Sequence, residues 1–172
     1  MKETLLTVLE NTRLADGIYR LRLAGDTSAI TAPGQFVNLK LSGFFLRRPI
    51  SVCDWENGEV TLIYKVLGHG TEAMTGMAVG TALDVLTGLG NGFDLSRSGE
   101  HPLLVGGGVG IPPLYGLARR LTAQGKRVTA VLGFNRKSEI FLAEEFRALG
   151  AEVVIATADG LSLIHISEPT RH

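Results

Sequence analysis

Three short stretches of this 172-residue chain carry residue types and spacings suited to holding phosphate groups. The densest in glycine is Val105-Gly106-Gly107-Gly108-Val109-Gly110-Ile111-Pro112-Pro113-Leu114. An apolar run, Pro102–Val105, precedes it and a helical pattern follows. That strand–loop–helix context is what a nucleotide-binding loop requires. Pro112 and Pro113 fall in the first helical turn, where a missing N–H costs little. Four glycines in five residues exceed the needs of a tight turn and favour a backbone that approaches a ligand closely. No Lys-Ser/Thr pair follows the glycines, which excludes a Walker A loop, and Gly106, Gly108 and Ile111 meet the GxGxxG spacing only approximately. The second stretch is Leu67-Gly68-His69-Gly70-Thr71-Glu72-Ala73-Met74. Two glycines open a helix whose free N–H groups and partial positive charge suit a pyrophosphate. The same residues also fit an ordinary turn capped by Thr71. The third is Arg47-Arg48-Pro49-Ile50-Ser51. An arginine at a strand entrance offers a planar fork of donors to a phosphate, and Pro49 is tolerated where the strand begins. Strict alternation puts Arg48 and Ser51 on opposite faces. They then reach different parts of a ligand, unless the proline distorts the strand. An arginine pair capping a barrel end has the same spacing. His69 also fits a solvated loop. Cys53, with no histidine near it in sequence, reads as a small buried residue rather than a nucleophile. Tyr64 and Lys65 end a strand beside the second glycine cluster, where they either line a ligand edge or serve as routine strand residues.

The elements that must position these residues fall into two sets. From Thr4 to about Thr87 the pattern is one of short strands. Leu5–Leu9, Ile18–Leu23, Phe36–Leu41, Ile50–Val52, Val60–Tyr64 and Thr81–Leu86 are the six, and Pro33-Gly34 and Glu56-Asn57-Gly58 mark turns. Six such strands predict a closed antiparallel barrel. Leu89–Gly99 reads as a linker. Beyond it come a strand at Pro102–Val105, a helix over Ile111–Ala123, a strand at Arg127–Leu132, a helix over Ser138–Leu149 and a strand at Glu152–Ala156. That alternation predicts a parallel sheet of three strands. The expected domains are 1–98 for the barrel and 99–160 for a partial α/β unit.

Seventeen basic residues balance seventeen acidic ones, which leaves no net field for nucleic acid or an anionic membrane. One cysteine excludes an internal disulfide framework and a self-contained cysteine metal site, so no metal ligands are assigned. The first residues lack an apolar signal core, and no apolar run approaches membrane-spanning length, so a cytoplasmic location is the expectation.

Taken in order, Arg48-Pro49-Ile50-Ser51-Val52, Ile63-Tyr64-Lys65-Val66, Gly70-Thr71, the Gly106–Pro113 loop and Leu132-Gly133-Phe134-Asn135 resemble the ferredoxin–NADP reductase superfamily. Within it they are most similar to the electron-transfer subunits of class B dihydroorotate dehydrogenases. The resemblance covers residues 1–160. It implies an FAD-binding barrel followed by a truncated Rossmann-like NAD(P)-binding unit. Arg48, Pro49, Ile50 and Ser51 are expected to contact FAD, with Arg48 on the phosphate side and Ser51 near the isoalloxazine. Ile63, Tyr64 and Lys65 are expected to line the flavin, Gly70 and Thr71 to hold the pyrophosphate, and Gly107, Gly108 and Gly110 to shape the nicotinamide-nucleotide site. The family's role is an oxidoreductase one in pyrimidine biosynthesis. Electrons pass between a dihydroorotate dehydrogenase catalytic subunit and NAD through FAD and a 2Fe–2S cluster, in a heterotetramer. Related reductases that serve ferredoxin, sulfide or sulfite share these motifs, and a nucleotide-binding module without turnover is a further alternative. The family's cluster needs four cysteines, and this chain has none after Cys53. Strand order in the family makes Leu103–Val105 central, so here one of its edges is expected to lie bare. Residues 161–172 resemble a translated sequencing adapter and are set aside as a non-native tail, with the native sequence expected to diverge after Gly160. Asn135-Arg136-Lys137 leaves the choice between NADH and NADPH open.

Overall fold

The structure is a computed structural model that describes residues 1–159 together with the backbone of Leu163–Ile166. Six strands form the first lobe: β1 (Lys2–Ala15), β2 (Ile18–Ala24), β3 (Phe36–Leu39), β4 (Arg48–Glu56), β5 (Glu59–Lys65) and β6 (Ala82–Leu89). They close in the order β1-β2-β5-β4-β3-β6, every pair antiparallel. Alternation explains the closure. Leu6, Val8, Leu21, Leu23, Val37, Leu39, Val60, Leu62, Leu83 and Val85 point inward and form one buried core. The β4–β5 hairpin turns on Asn57 and Gly58, both with positive φ, as a two-residue loop requires. A single short helix, α1 (His69–Met74), joins β5 to β6 and seats Met74 in the barrel core.

The second lobe holds β7 (Leu103–Gly107), α2 (Pro112–Ala123), β8 (Thr129–Phe134), α3 (Ala143–Ala148), β9 (Glu152–Thr157) and β10 (Leu163–Ile166). β7, β8 and β9 run parallel, and β10 pairs antiparallel with β9, giving the order β10-β9-β8-β7. Leu114, Leu117, Ala118 and Leu121 make the buried stripe of α2 and cover Leu104, Ala130, Leu132, Val153 and Ile155 on one face of the sheet. β7 is an edge strand, and Leu103 and Val105 on its other face are 62% and 66% exposed. Apart from the β10 backbone, the adapter-like residues 161–172 lie outside the described residues.

One predicted element needs correction. The helix expected over Ser138–Leu149 is broken into a single 3-10 turn at Lys137–Glu139 and the short α3. Leu142 adopts φ +68° between them, so Phe141, Leu142 and Ala143 are all buried in succession. A continuous helix turns one of three such neighbours to solvent.

The two lobes share a core. Ile18, Cys53 and Ile63 on the outside of the barrel join the buried cluster of the second lobe. α2 lies so close to β4 that a Cβ on Gly116 would stand 2.7 Å from the Cys53 carbonyl oxygen. Beside it Arg119 Nε is 2.7 Å from Asp54, Arg120 Nη1 is 3.3 Å from the same carboxylate, and the Arg120 guanidinium lies 3.6 Å over the ring of Trp55. The pairing of β4 with β5 shifts register between Val52 and Asp54, a bulge that lets Cys53 and Asp54 both serve α2 while Val52 stays in the barrel.

Candidate functional site

β4 and β5 part company at one end. Their pairing stops at Val52–Leu62. Before Val52, residues Arg48–Ser51 pair only with β3, and after Leu62, residues Ile63–Lys65 pair only with β2. The wall of the barrel opens here, and the facing backbone groups of the two strands have no ladder between them. Such groups need a partner from solvent or a ligand.

Arg48 stands at this opening. Its Nη1 donates to the Leu46 carbonyl at 2.7 Å, and its guanidinium lies 5.1 Å from the centre of the Phe44 ring. The other side of the guanidinium rests on Gly70, where a built Cβ would come within 2.7 Å of Arg48 Cζ and closer still to Nε. The arginine at the strand entrance and the glycine in the first turn of α1, 22 residues apart in sequence, thus form one surface. The neighbouring Arg47 is not part of it. Arg47 is tied to Asp84 at 3.1 Å, with Glu3 at 3.7 Å, and closes the barrel instead.

Thr71 resolves as a turn residue. Its Oγ1 accepts the N–H of Leu67 at 2.8 Å and of Gly68 at 3.1 Å, and donates to the Gly68 carbonyl. The hydroxyl is spent on shaping the loop, while the first-turn N–H groups of α1 have no intrahelical acceptor by construction. Ile63, Tyr64 and Lys65 also separate. Alternation buries Tyr64 inside the barrel at 1% exposure, where its hydroxyl donates to Asn11 Oδ1 at 2.9 Å and burial pushes its pKa up. Ile63 packs into the core between the lobes. Of the three, only Lys65 presents a side chain to open space, and it pairs with Glu139 at 3.5 Å. Ile63 and Tyr64 border the opening through their backbones. Pro49 is exposed, and Ile50 and Ser51 are half-buried along the same strand. Cys53 is buried and burial raises its thiol pKa, which leaves it an inert packing residue.

The glycine loop lies at the carboxyl ends of β7 and β8, the usual place for a ligand on a parallel sheet. Two of its glycines have structural reasons. Gly106 lies against the Leu114 side chain, 2.6 Å from a built Cβ, and Gly108 has φ +51°. Gly107 and Gly110 have room for a Cβ, and Gly107 and Gly108 line a cleft of about 450 Å³. Ile18, Lys65 and Leu67 of the barrel form its other wall, with Phe134, Asn135 and Glu139 at the end of β8. The cleft therefore runs from the opening of the barrel to the glycine loop. Sequence reasoning missed Phe44, Glu139 and Asn38. The Asn38 Oδ1 is buried without a hydrogen-bond partner, cross-strand from Pro49. No spacing signal marks any of them, because each gains its place only through a neighbour far along the chain.

No family profile matches the chain. It is 46% identical over 168 residues to the dihydroorotate dehydrogenase B (NAD(+)) electron transfer subunit of Bacillus pumilus, an alignment covering 93% of this chain and 65% of that protein. The corresponding subunit of Shouchella clausii is 45% identical over 167 residues, covering 92% of this chain and 64% of its own length. The chain thus spans just under two thirds of the curated relatives it matches. Among solved structures, the NADH-dependent reduced ferredoxin-NADP oxidoreductase studied for flavin-based electron bifurcation superimposes with a TM-score of 0.80 at 29% identity, covering 90% of this chain and 57% of that one. The chain is a homologue of the dihydroorotate dehydrogenase B electron transfer subunits and has the ferredoxin–NADP reductase-like fold.

Proposed function

We propose that this chain is the flavoprotein subunit that carries electrons between a dihydroorotate dehydrogenase catalytic subunit and NAD, with FAD held at the opening between β4 and β5. The observation that carries the reading is that opening, with Arg48 and Gly70 side by side at its rim. The residues present fit the group. The facing backbones of Arg48–Ser51 and Ile63–Lys65 offer donors and acceptors to the edge of a flat heterocycle, and Ser51 adds a hydroxyl. Arg48 offers a charge-assisted fork to a phosphate, and Gly70 keeps the space that a phosphate must share with that fork. Thr71 fixes the turn that brings Gly70 against Arg48 by accepting the N–H groups of Leu67 and Gly68. When bound, FAD supplies hydride exchange on one side and single-electron exchange on the other.

The chain's own residues then set geometry. Lys65 and Glu139 hold the barrel against the end of β8, so the cleft beside Gly107 and Gly108 opens onto the flavin position. A nicotinamide nucleotide in that cleft would be held by the backbone of Gly107 and Gly108, in the loop that Gly110 completes, and would supply hydride exchange with the flavin. Asp54, Arg119 and Arg120 keep α2, and with it the glycine loop, at a fixed distance from β4. A 2Fe–2S cluster does not fit this chain, whose one cysteine is buried beside α2. On this reading residues 1–98 form the flavin-binding unit and 99–160 the nucleotide-binding one, and a catalytic subunit is the partner.

The test is direct. The purified chain is titrated with FAD and followed by quenching of flavin fluorescence. Saturable binding that Arg48→Ala weakens at least tenfold supports the reading, and anaerobic NADH should then bleach the bound flavin. A protein that retains no flavin in excess FAD overturns it.

A further inference from the structure

Two charged side chains meet in the cleft beside the glycine loop. Among the described residues that line it, Lys65 supplies the positive charge and Glu139 the negative one. Lys65 belongs to the barrel and Glu139 to the turn after β8, and their charged atoms stand 3.5 Å apart. The Glu139 side chain is 17% exposed and that of Lys65 29%, so water and salt screen the pair only in part.

The fold fixes both ends of this pair through one support, the turn between β1 and β2. On the Lys65 side, Ile18 pairs with Lys65, and the Gly17 carbonyl accepts the N–H of Val66 at 2.9 Å. On the Glu139 side, the Asp16 N–H donates to the Ser138 carbonyl at 2.9 Å. The start of the Glu139 turn is tied to the end of β9, where the Asp159 carboxylate accepts the Lys137 N–H at 3.3 Å. The Asp16 carboxylate is engaged elsewhere, with Arg13 at 3.0 Å. Lys65 also borders the opening between β4 and β5 through its backbone. A ring that approaches the flavin position from the cleft therefore passes close to the pair.

The geometry points to Glu139 as a positioning residue that, by balancing Lys65, sets the relative affinity of the cleft for oxidised and reduced nicotinamide nucleotide. The inference rests on the proposed nucleotide cleft. The two forms share their phosphates, riboses and adenine and differ by one hydride. The oxidised ring carries a positive charge. Taking a hydride from reduced flavin makes that ring neutral and leaves the flavin oxidised. A charge fixed beside the ring therefore acts on one form and not on the other. Lys65 by itself repels the oxidised ring. With the Glu139 carboxylate against it, the two charges largely cancel and the repulsion goes. In this partly exposed cleft an unbalanced unit charge a few ångströms from the ring changes the preference by roughly tenfold.

The experiment measures anaerobic nucleotide binding to the FAD-loaded chain in two complexes that cannot react. NAD⁺ is titrated into the oxidised protein and NADH into the dithionite-reduced protein, each followed by the change in flavin absorbance. The quantity compared is the ratio of the two dissociation constants, NAD⁺ over NADH, in which contacts common to both forms cancel. Glu139→Gln should raise this ratio about tenfold, and the shift should shrink as salt is added. Lys65→Met leaves the carboxylate unbalanced and should lower the ratio by about the same factor. Glu139→Asp keeps the charge and the double variant Lys65→Met/Glu139→Gln removes both, so each should stay within about threefold of the wild type. Single variants that leave the ratio unchanged or move it in the same direction overturn the inference and leave the nucleotide cleft standing. So does a double variant that fails to return the ratio. A wild type that retains no FAD, or binds neither nucleotide, overturns both.

Discussion

Gly70→Ala separates the fold from the site more sharply than any other single change. Gly70 lies inside α1 with ordinary helical backbone, so alanine is favoured there by up to about 1 kcal/mol. The added methyl finds its three nearest heavy atoms all in a side chain. It meets the Arg48 side chain, with Cζ and Nη2 each 2.7 Å from the built Cβ and Nε nearer. A long, half-exposed arginine can swing away at little cost to the fold, so the thermal midpoint should stay level or rise slightly. The guanidinium then leaves the rim of the opening. Losing one charge-assisted hydrogen bond costs about 1.5–3 kcal/mol, or roughly 10- to 150-fold in affinity. Paired titrations and melts should therefore show FAD binding falling by that factor in a protein of undiminished stability. A double-mutant cycle makes the reasoning strict: in an Arg48→Ala background, Gly70→Ala should have no further effect on FAD. Additive losses, or unchanged affinity in the single variant, would refute the idea that glycine is present to make room for the arginine.

Other perturbations should act on stability instead. Tyr64→Phe removes the donor to Asn11, whose amide also holds the Met74 and Met77 carbonyls at 2.7 and 3.2 Å; urea denaturation should show a loss of about 1–2 kcal/mol with flavin affinity unchanged. Asp54→Ala leaves Arg119 and Arg120 without their shared carboxylate, and the chain's one tryptophan, Trp55, should red-shift its emission as Arg120 leaves the ring. Gly116→Ala drives a methyl against the Cys53 carbonyl, which is backbone and cannot step aside, and should cost about 1–3 kcal/mol in the same assay. The Cys53 thiol has a raised pKa in the folded chain, so its stabilising contribution is complete below about pH 8.5, the unfolded value, and is lost as pH climbs beyond it. Iodoacetamide at pH 8 should label it slowly in the native protein and rapidly in urea.

The barrel was legible because alternation is local. Val60-Thr61-Leu62-Ile63-Tyr64 reads as in, out, in, out, in, and the structure keeps that order. The same rule, followed one step further, separates Tyr64 from Lys65, although both were expected to line one ligand. The rim of the opening was half legible. Arg48 and Gly70 each stood out, but their contact depends on barrel closure and on a helix that no sequence window spans. Thr71 fitted two roles, and the loop geometry spends its hydroxyl on the turn. The break at Leu142 was hidden because Ile140-Phe141-Leu142-Ala143 satisfies a helical pattern, and only the demand to bury Phe141 and Leu142 together forces a left-handed residue. The anchoring of α2 to β4 was invisible for a simpler reason: Asp54 and Arg119 are 65 residues apart.

The irregularity between Val52 and Asp54 has an outcome that substitution experiments will not expose. One strand is assigned to two packing tasks, with its phase reset midway. Side chains before the reset obey the barrel, Cys53 and Asp54 at the reset both obey α2, and Trp55 after it packs back against the barrel core. Point changes on either side disturb one task at a time. Loss of Cys53 or Asp54 at the reset restores even alternation: Trp55 and Glu56 keep Val60 and Glu59 as partners, and one of the two adjacent contacts with α2 is lost. Shortening the chain by one residue here should thus leave the barrel closed while loosening the second lobe.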